Sequence, residues 1–390
     1  MHHQVGAVLE RRHEQGANVP LAELAYHALR AVPLTESIKA FDYARNAGEE
    51  ELRALAFEQA AEHFGQALQV LRAGPVLGRE RELEVLLSLG DAESRAGDRA
   101  GAKQTFLEAA ALARELGAAD KLAKAALGYG GVWVTAGNLD QVLVDLVEES
   151  LSRLAAESGA LSARLRARLA QELYYTADED RLDDLTARAV ASARASGDSQ
   201  ALAAGLSSRH QALRRPGDLR ERLSVADEII RLAKLAGDDE LALQGHHWKL
   251  VDLVESGEPE GVDAEQSRCL HLTNKLRQPY HQWWTRVPRA TLAMLRGDFK
   301  GGEELARSAL AAGRRAQEAS AGPFFEAQLF VLRLEGVLAP DTEVLRDLAD
   351  RFPAIPVWRA ALAWLQVENE QQAAASDDFL RLFDGFQCRL

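Results

Sequence analysis

Small and large apolar residues recur along this chain on a helical period. Ala102, Phe106, Ala109 and Ala113 stand at i, i+4, i+7 and i+11, which puts all four on one face of a helix. The segment AFEQAAEHFGQALQVL repeats the scheme with Ala60, Phe64 and Ala67. Small residues let neighbouring helices approach closely, and phenylalanine fills the gap between them. Runs of β-branched residues are few, and no alternating strand pattern of useful length occurs. The pattern predicts an all-α chain.

Short polar breaks punctuate it. Gly97, Gly137, Gly217, Gly257 and Gly297 stand 40 residues apart, or twice that where the slot at 177 holds Ala177-Asp178 instead of Gly-Asp. A second series, Gly117, Gly197 and Gly237, lies halfway between and keeps the same spacing. Glycine just past a helix accepts the left-handed conformation that closes the C-terminus. An Asp or Asn after it accepts a hydrogen bond from the free N–H groups of the next helix. Breaks every half period leave helices of about 16–18 residues, each about 25 Å long at 1.5 Å per residue. Two antiparallel helices per period form a hairpin, and stacked hairpins form an α-solenoid.

The segment Leu83–Leu116 resembles a tetratricopeptide repeat, carried by Leu86, Leu89, Gly90, Ala102, Phe106 and Ala109. Later units keep the hairpin but stretch to 40 residues and lose most of that motif. The resemblance implies a right-handed superhelix whose first helices line a concave groove. Over residues 2–370 the chain is similar to the helical-repeat region of large actinobacterial ATP-binding transcriptional regulators, STAND-type ATPases of the LuxR-like or adenylate-cyclase-linked kind. The segments LAELAYHALRAVPLTESIKAFDYARNAGEEELRALAFEQAAEHFGQAL, ALGYGG, ALQGHHWKLV and FPAIPVWRAALAWL carry it. The departures matter: no G-x-x-x-x-G-K-[ST] loop occurs to cradle phosphates. No DNA-binding helix-turn-helix module follows residue 370. The resemblance therefore implies the sensor or scaffold part of such a regulator. The expected organisation is an N-terminal helical cap over 1–35, the superhelix over 36–370 and a C-terminal cap or tail over 371–390.

Charge narrows the partners. A formal net charge of −13 argues against direct nucleic-acid binding, which needs a basic surface to displace counterions. Arg209, Arg214 and Arg215 cluster, but Asp218 and Glu221 follow them. The two cysteines, Cys269 and Cys388, are too far apart in sequence for a CxxC half-site and too few for a disulfide framework. The N-terminus lacks the apolar run of a signal peptide, and no stretch approaches the ~20 apolar residues of a membrane span. A cytoplasmic protein is expected. No cofactor or metal is expected.

Candidate chemistry centres on GHHWKL. Leu243, His247, Leu250 and Val254 share a helical face, so His247 should be packed inside, with His246 and Trp248 to either side. Adjacent histidines diverge by about 100° on a helix and do not easily chelate one metal. The H-E-x-x-H, S-x-x-K and G-x-S-x-G signatures are absent. All six tryptophans, with Tyr129, Tyr174, Tyr175 and Tyr280, fall in helices assigned as the first of a hairpin. Such aromatics serve packing or anchor a ligand. The candidate groove set is Tyr129, Trp133, Arg209, His210, His246, Trp248 and Trp284, centred on Trp248. The expected function is a scaffold for a protein or peptide partner or a small effector, with homo-oligomers among its partners. The competing reading is a hydrolase-like enzyme with an unconventional site in the concave groove.

Overall fold

The computed structural model describes residues 1–390 apart from 32–36, 74–77, 132–136, 138, 156–158, 176–178, 214–215, 258–259, 317–318, 340 and 388–390. Among the described residues there are twenty α-helices and no strand. After α1 (His2–Glu14) and α2 (Leu21–Ala31), helices alternate as first and second members of successive pairs. These are α3 (Ser37–Arg53) with α4 (Phe57–Ala73), α5 (Arg79–Ala96) with α6 (Arg99–Glu115), and α7 (Ala119–Gly130) with α8 (Gln141–Arg153). Then come α9 (Gly159–Glu172) with α10 (Glu179–Ser196), α11 (Ser199–Ala212) with α12 (Leu219–Ala236), and α13 (Asp239–Glu255) with α14 (Val262–Leu276). The last are α15 (Pro279–Leu295) with α16 (Phe299–Arg315), α17 (Ala321–Leu334) with α18 (Thr342–Arg351), and α19 (Pro356–Glu368) with α20 (Gln372–Gln387).

The predicted breaks close these helices, except that α7 ends earlier than Gly137, at Gly131. Gly97, Gly117, Gly137, Gly197, Gly237, Gly257 and Gly297 all take positive φ, between 65° and 95°. Asp98, Asp198, Asp238 and Asp298 then accept a hydrogen bond from the N–H three residues on, at 2.7–3.0 Å. Gly217 differs: it sits inside a short 3₁₀ turn, Pro216–Asp218, and does not take the left-handed conformation. The slot at 177 lies outside the described residues. Arg277 fills the half-period slot after Gly237 without being glycine, at φ 58°.

Packing follows the small-and-large pattern. Phe64 is fully buried against Gly48, where an added Cβ would come within 2.9 Å of the ring. Phe106 sits between Gly90 and Gly128, at 2.8 and 2.3 Å on the same measure. The solenoid then coils back on itself. Gly97 of the α5–α6 loop abuts Pro279 and the Arg315 carbonyl, and Gly137 abuts Ile355 and Phe352. Arg95 pairs with Glu240 across the same seam at 2.7 Å, and Gln278 also hydrogen-bonds Glu240. Loops on one edge of an early turn thus rest on the opposite edge of a later turn. No helix among the described residues is long and apolar enough to cross a membrane.

Candidate binding surface

α13 shows how a first helix is held. On one side Leu243, Leu250 and Val254 pack on Cys269 and Leu276 of α14 and Leu292 of α15. His247 lies on that side too, its Nε2 3.2 Å from Thr285 Oγ1 of α15. On the opposite side Leu241 and Trp248 pack on Leu206 of α11 and on Val225, Ile229 and Leu232 of α12. A third side meets the layer of second helices. His246 Nδ1 donates to Glu265 of α14 at 2.5 Å, and Lys249 pairs with Asp227 of α12 at 2.7 Å. The side left over, Gln244 and Val251, forms the inner face, while Glu255 at its end pairs with Arg222 of α12.

The candidate residues fall into separate places. His210 Nε2 donates to Asp252 Oδ2 at 2.7 Å, and the imidazole stacks on Trp248 with centroids 4.5 Å apart. Trp248 donates from Nε1 to Ser207 Oγ at 2.8 Å, and Arg222 Nε lies 3.3 Å from Asp252 Oδ1. Ser207, His210 and Asp252 are all buried. Their burial, and the Trp248 hydrogen bond on the serine, closes this trio to a substrate and makes it a clamp between two pairs. Arg209 is turned toward Asp183 and Glu221 of the flanking second helices. Tyr129 is buried three pairs earlier, its hydroxyl 3.2 Å from Asp140 and Lys103 Nζ 4.6 Å over its ring. Burial and the Asp140 carboxylate push its phenol up to about 12. Trp133 lies outside the described residues.

Two buried histidines are held neutral. Burial first, then the neighbouring His281 and His246, lowers His247 to about 3. Burial, then the Arg95 charge, lowers His281 to about 4, and neither ring nitrogen of His281 has a hydrogen-bond partner. Among the described residues no three His, Cys, Asp or Glu side chains converge as metal ligands. A cavity of about 200 Å³ lies between Ala113, Leu122 and Arg153, at the edge of α6–α8.

Trp284 belongs to a different feature. The inner face of α15, found as for α13, holds Trp284, Thr291 and Leu295, and Leu295 is 64% exposed. Carried on by the same register, the corresponding face of α17 holds Phe324 and Val331; α19 starts early, at Pro356, so Trp364 stands further along its helix and meets Phe330 instead. Gln244, Trp284, Phe324 and Trp364 stand 40 residues apart, one per first helix. Trp284 and Phe324 meet edge to face with centroids 5.6 Å apart, and Trp364 meets Phe330 of α17 at 5.9 Å. Val357, Trp364 and Val367 on one side of α19 are 59%, 37% and 53% exposed, so this helix presents an open apolar strip. Phe324 and Trp364 were not singled out from sequence, although adding the period to Trp284 reaches both.

No protein-family model and no curated protein matches the sequence. Among solved structures, a Rap protein complexed with competence and sporulation factor is similar at 12% identity, over 85% of this chain and 93% of that one, with a TM-score of 0.50. Aspartyl phosphate phosphatase F from Bacillus subtilis matches at 12% identity over 90% and 94%, with a TM-score of 0.49. A STAND protein with a tetratricopeptide repeat sensor from Pyrococcus horikoshii matches at 12% identity, over 93% of this chain and 52% of that one, with a TM-score of 0.40. The Rap likeness is one of fold: a tandem-repeat helical solenoid.

Proposed function

We propose that the chain is a binding scaffold whose inner face, over α13–α19, holds a peptide or an unfolded segment of a partner protein. The observation that carries this reading is the exposed apolar strip Val357, Trp364 and Val367 on one side of α19, with exposed Leu295 on α15. Single exposed apolar residues are ordinary, but several together on one side of a helix mark an interaction site. The similar Rap protein was solved in complex with competence and sporulation factor, which supports a binding role for a chain of this fold. In a STAND-type regulator the same surface would be the effector-sensing part, which is the role the sequence resemblance supports.

The test is selection of a displayed random-peptide library on the immobilised full chain. Selected peptides are then titrated against wild type and Trp364→Ala, with helicity checked by circular dichroism. Truncating an aromatic anchor costs about 2 kcal/mol, which is roughly thirtyfold in affinity. Equal binding by both proteins, or no enriched peptide, overturns the reading. Enrichment abolished by a small molecule but not by peptide would point to a small effector instead.

A further inference from the structure

We infer that the outer side of α15, where α14 and α16 flank it, binds a phosphate group through Arg286, Arg289 and Arg315. This face belongs to the layer of second helices and is separate from the α19 strip, so either can fail without the other. α13 and α15 begin 40 residues apart, at Asp239 and Pro279, and share a register. Leu243, His247, Leu250 and Val254 of α13 recur as Trp283, Val287, Ala290 and Met294, all buried. The same register carries His246 and Lys249, which meet the second helices, to Arg286 and Arg289.

One period on, the cations persist and their acids do not. Around α13, His246 meets Glu265 at 2.5 Å, Lys249 meets Asp227 at 2.7 Å, and Lys275 at the end of α14 pairs with Asp239. Adding the period turns those three acids into Leu305, Ser267 and Pro279, and the three basic residues into Arg286, Arg289 and Arg315. None of these arginines is joined in an ion pair or a side-chain hydrogen bond among the described residues. Acids of the flanking helices are engaged elsewhere, Asp263 with Arg296 and Glu303 with Arg307, and exposed Glu304 pairs with none of the three. Arg286 and Arg289 are half-buried and about one helical turn apart. Arg315 stands at the N-terminus of α15, its carbonyl and the Pro279 ring both lying against Gly97. Burial, then the charges of Arg315 and Arg289, holds the Arg286 guanidinium below its usual range, so both charges reach it.

A chain with a formal net charge of −13 thus gathers three like charges without a counter-ion of its own. Like charges on neighbouring turns are unfavourable until something neutralises them. Guanidinium forks match phosphate oxygens in pairs, and a phosphate offers oxygens to more than one arginine. A carboxylate has two oxygens, and a single fork fills it. The ligand class is therefore a phosphate group, as the free ion or on a small molecule. The acidic balance of the rest of the chain disfavours a nucleic acid.

The experiment is isothermal titration calorimetry on the full chain at low salt with inorganic phosphate, phenyl phosphate and acetate. Phosphate should bind at one site in the millimolar range or tighter, and acetate should give no measurable site. Arg286→Gln should weaken phosphate at least tenfold, with helicity unchanged by circular dichroism. Arg286→Lys and Arg289→Lys keep the charge but lose the fork, and each should weaken it severalfold. Arg307→Gln, which removes the partner of Glu303, should bind as wild type does. Phosphate should also raise the urea midpoint of wild type more than that of Arg286→Gln, since a ligand that binds only the folded chain stabilises it. Tighter binding of phenyl phosphate than of inorganic phosphate supports the site and assigns it to an esterified group; the opposite order supports it and assigns the free ion. Equal phosphate affinity in wild type and Arg286→Gln, equal affinity for acetate and phosphate, or no binding at millimolar concentration overturns the inference.

Discussion

The first and second halves of the solenoid are built from the same helical pairs but are held together differently. From Ala25 in α2 to Leu182 in α10 the buried apolar residues form one continuous cluster. Beyond α11 the core breaks into several small clusters. Polar groups fill the joints between them: Ser207, His210, His247, Asp252, Glu265, Thr273, Thr285 and Gln328 are all buried. In the first half, alanine and glycine let helices close on phenylalanine. In the second, histidine and tryptophan carry polar atoms into the interior, and several find a partner on a neighbouring pair because an unpaired buried polar group is costly; His281 and Trp358 do not. Those partners keep the fold's own register. Trp248 reaches Ser207 over 41 residues, His210 reaches Asp252 over 42, His247 meets Thr285 over 38 and Gln328 reaches the Val287 carbonyl over 41. The less continuous half is also the half that bears the exposed apolar strip of α19.

The sharpest way to break this comparison is to empty an apolar joint. Phe106 is wedged between Gly90 and Gly128, and three helices meet on its ring. Phe106→Ala removes the ring from a site whose glycine walls have no side chains to collapse into it, so the cost should be about 3–5 kcal/mol. Urea titration followed by far-UV circular dichroism should show the early pairs melting first in this variant. Tryptophan fluorescence reports mainly the later pairs, where Trp248, Trp283, Trp284, Trp358 and Trp364 lie, once Trp133 is replaced by phenylalanine, and its transition should move less. If both signals shift together by the full amount, the two halves form one cooperative unit and the distinction is only descriptive.

Acid should attack the other half. His247 and His281 both sit in the later pairs and titrate near 3 and near 4 in the folded chain, against an unfolded value of about 6.5. The folded values are depressed, so the unfolded chain binds more protons as pH drops below about 6.5. Stability from keeping these rings neutral is complete above that pH. It is lost as pH falls toward 4 for His281 and toward 3 for His247. The limiting slope is about 1.4 kcal/mol per pH unit for each histidine. Hydrogen exchange between pH 7 and pH 4.5 should show α13 and α15 losing protection before α5 and α6. His281→Leu, which fills the site without a titrating group, should reduce the slope by about one proton. An unchanged slope would show that acid acts elsewhere.

Much of this architecture was legible in the sequence because glycine and aspartate mark helix ends by backbone chemistry that does not depend on tertiary context. Gly217 shows the limit: after Pro216 the chain makes a 3₁₀ turn, so the residue marks the break without adopting the expected conformation. The binding surface was less legible. Placing Trp248 beside a single apolar face treats α13 as a surface helix with one buried side. A first helix in mid-solenoid has two buried sides roughly opposite each other, and Trp248 lies on the second. Trp284, expected at the groove, meets His247 of α13 on one side and Phe324 of α17 on the other and packs against the buried Trp283 cluster. The clamps were legible in principle from the repeat period, since their polar partners stand close to one period apart.

The smallest effect tests whether the period itself is written in backbone conformation. Arg277 ends α14 at φ 58°, in the slot where Gly237 ends α12 at φ 65°. A left-handed residue with a Cβ costs about 1–2 kcal/mol relative to glycine, so the arginine holds its slot against a local preference. Its side chain is exposed and joins no ion pair among the described residues, so little is lost by removing it. Glycine also frees the unfolded chain, which offsets the gain by about 0.4–1 kcal/mol. Arg277→Gly should therefore stabilise by about 0.5–1 kcal/mol, the difference of those two terms. The reciprocal change isolates the cause. A Cβ at Gly237 would meet nothing within 4 Å, so Gly237→Arg adds backbone strain without a clash and should destabilise by a similar amount. Both are measured as shifts in the urea midpoint of the tryptophan signal, which reports the later pairs. If Arg277→Gly destabilises while Gly237→Arg is neutral, helix closure at these slots is set by packing between the pairs, and glycine in the repeat is a marker of the break without being its cause.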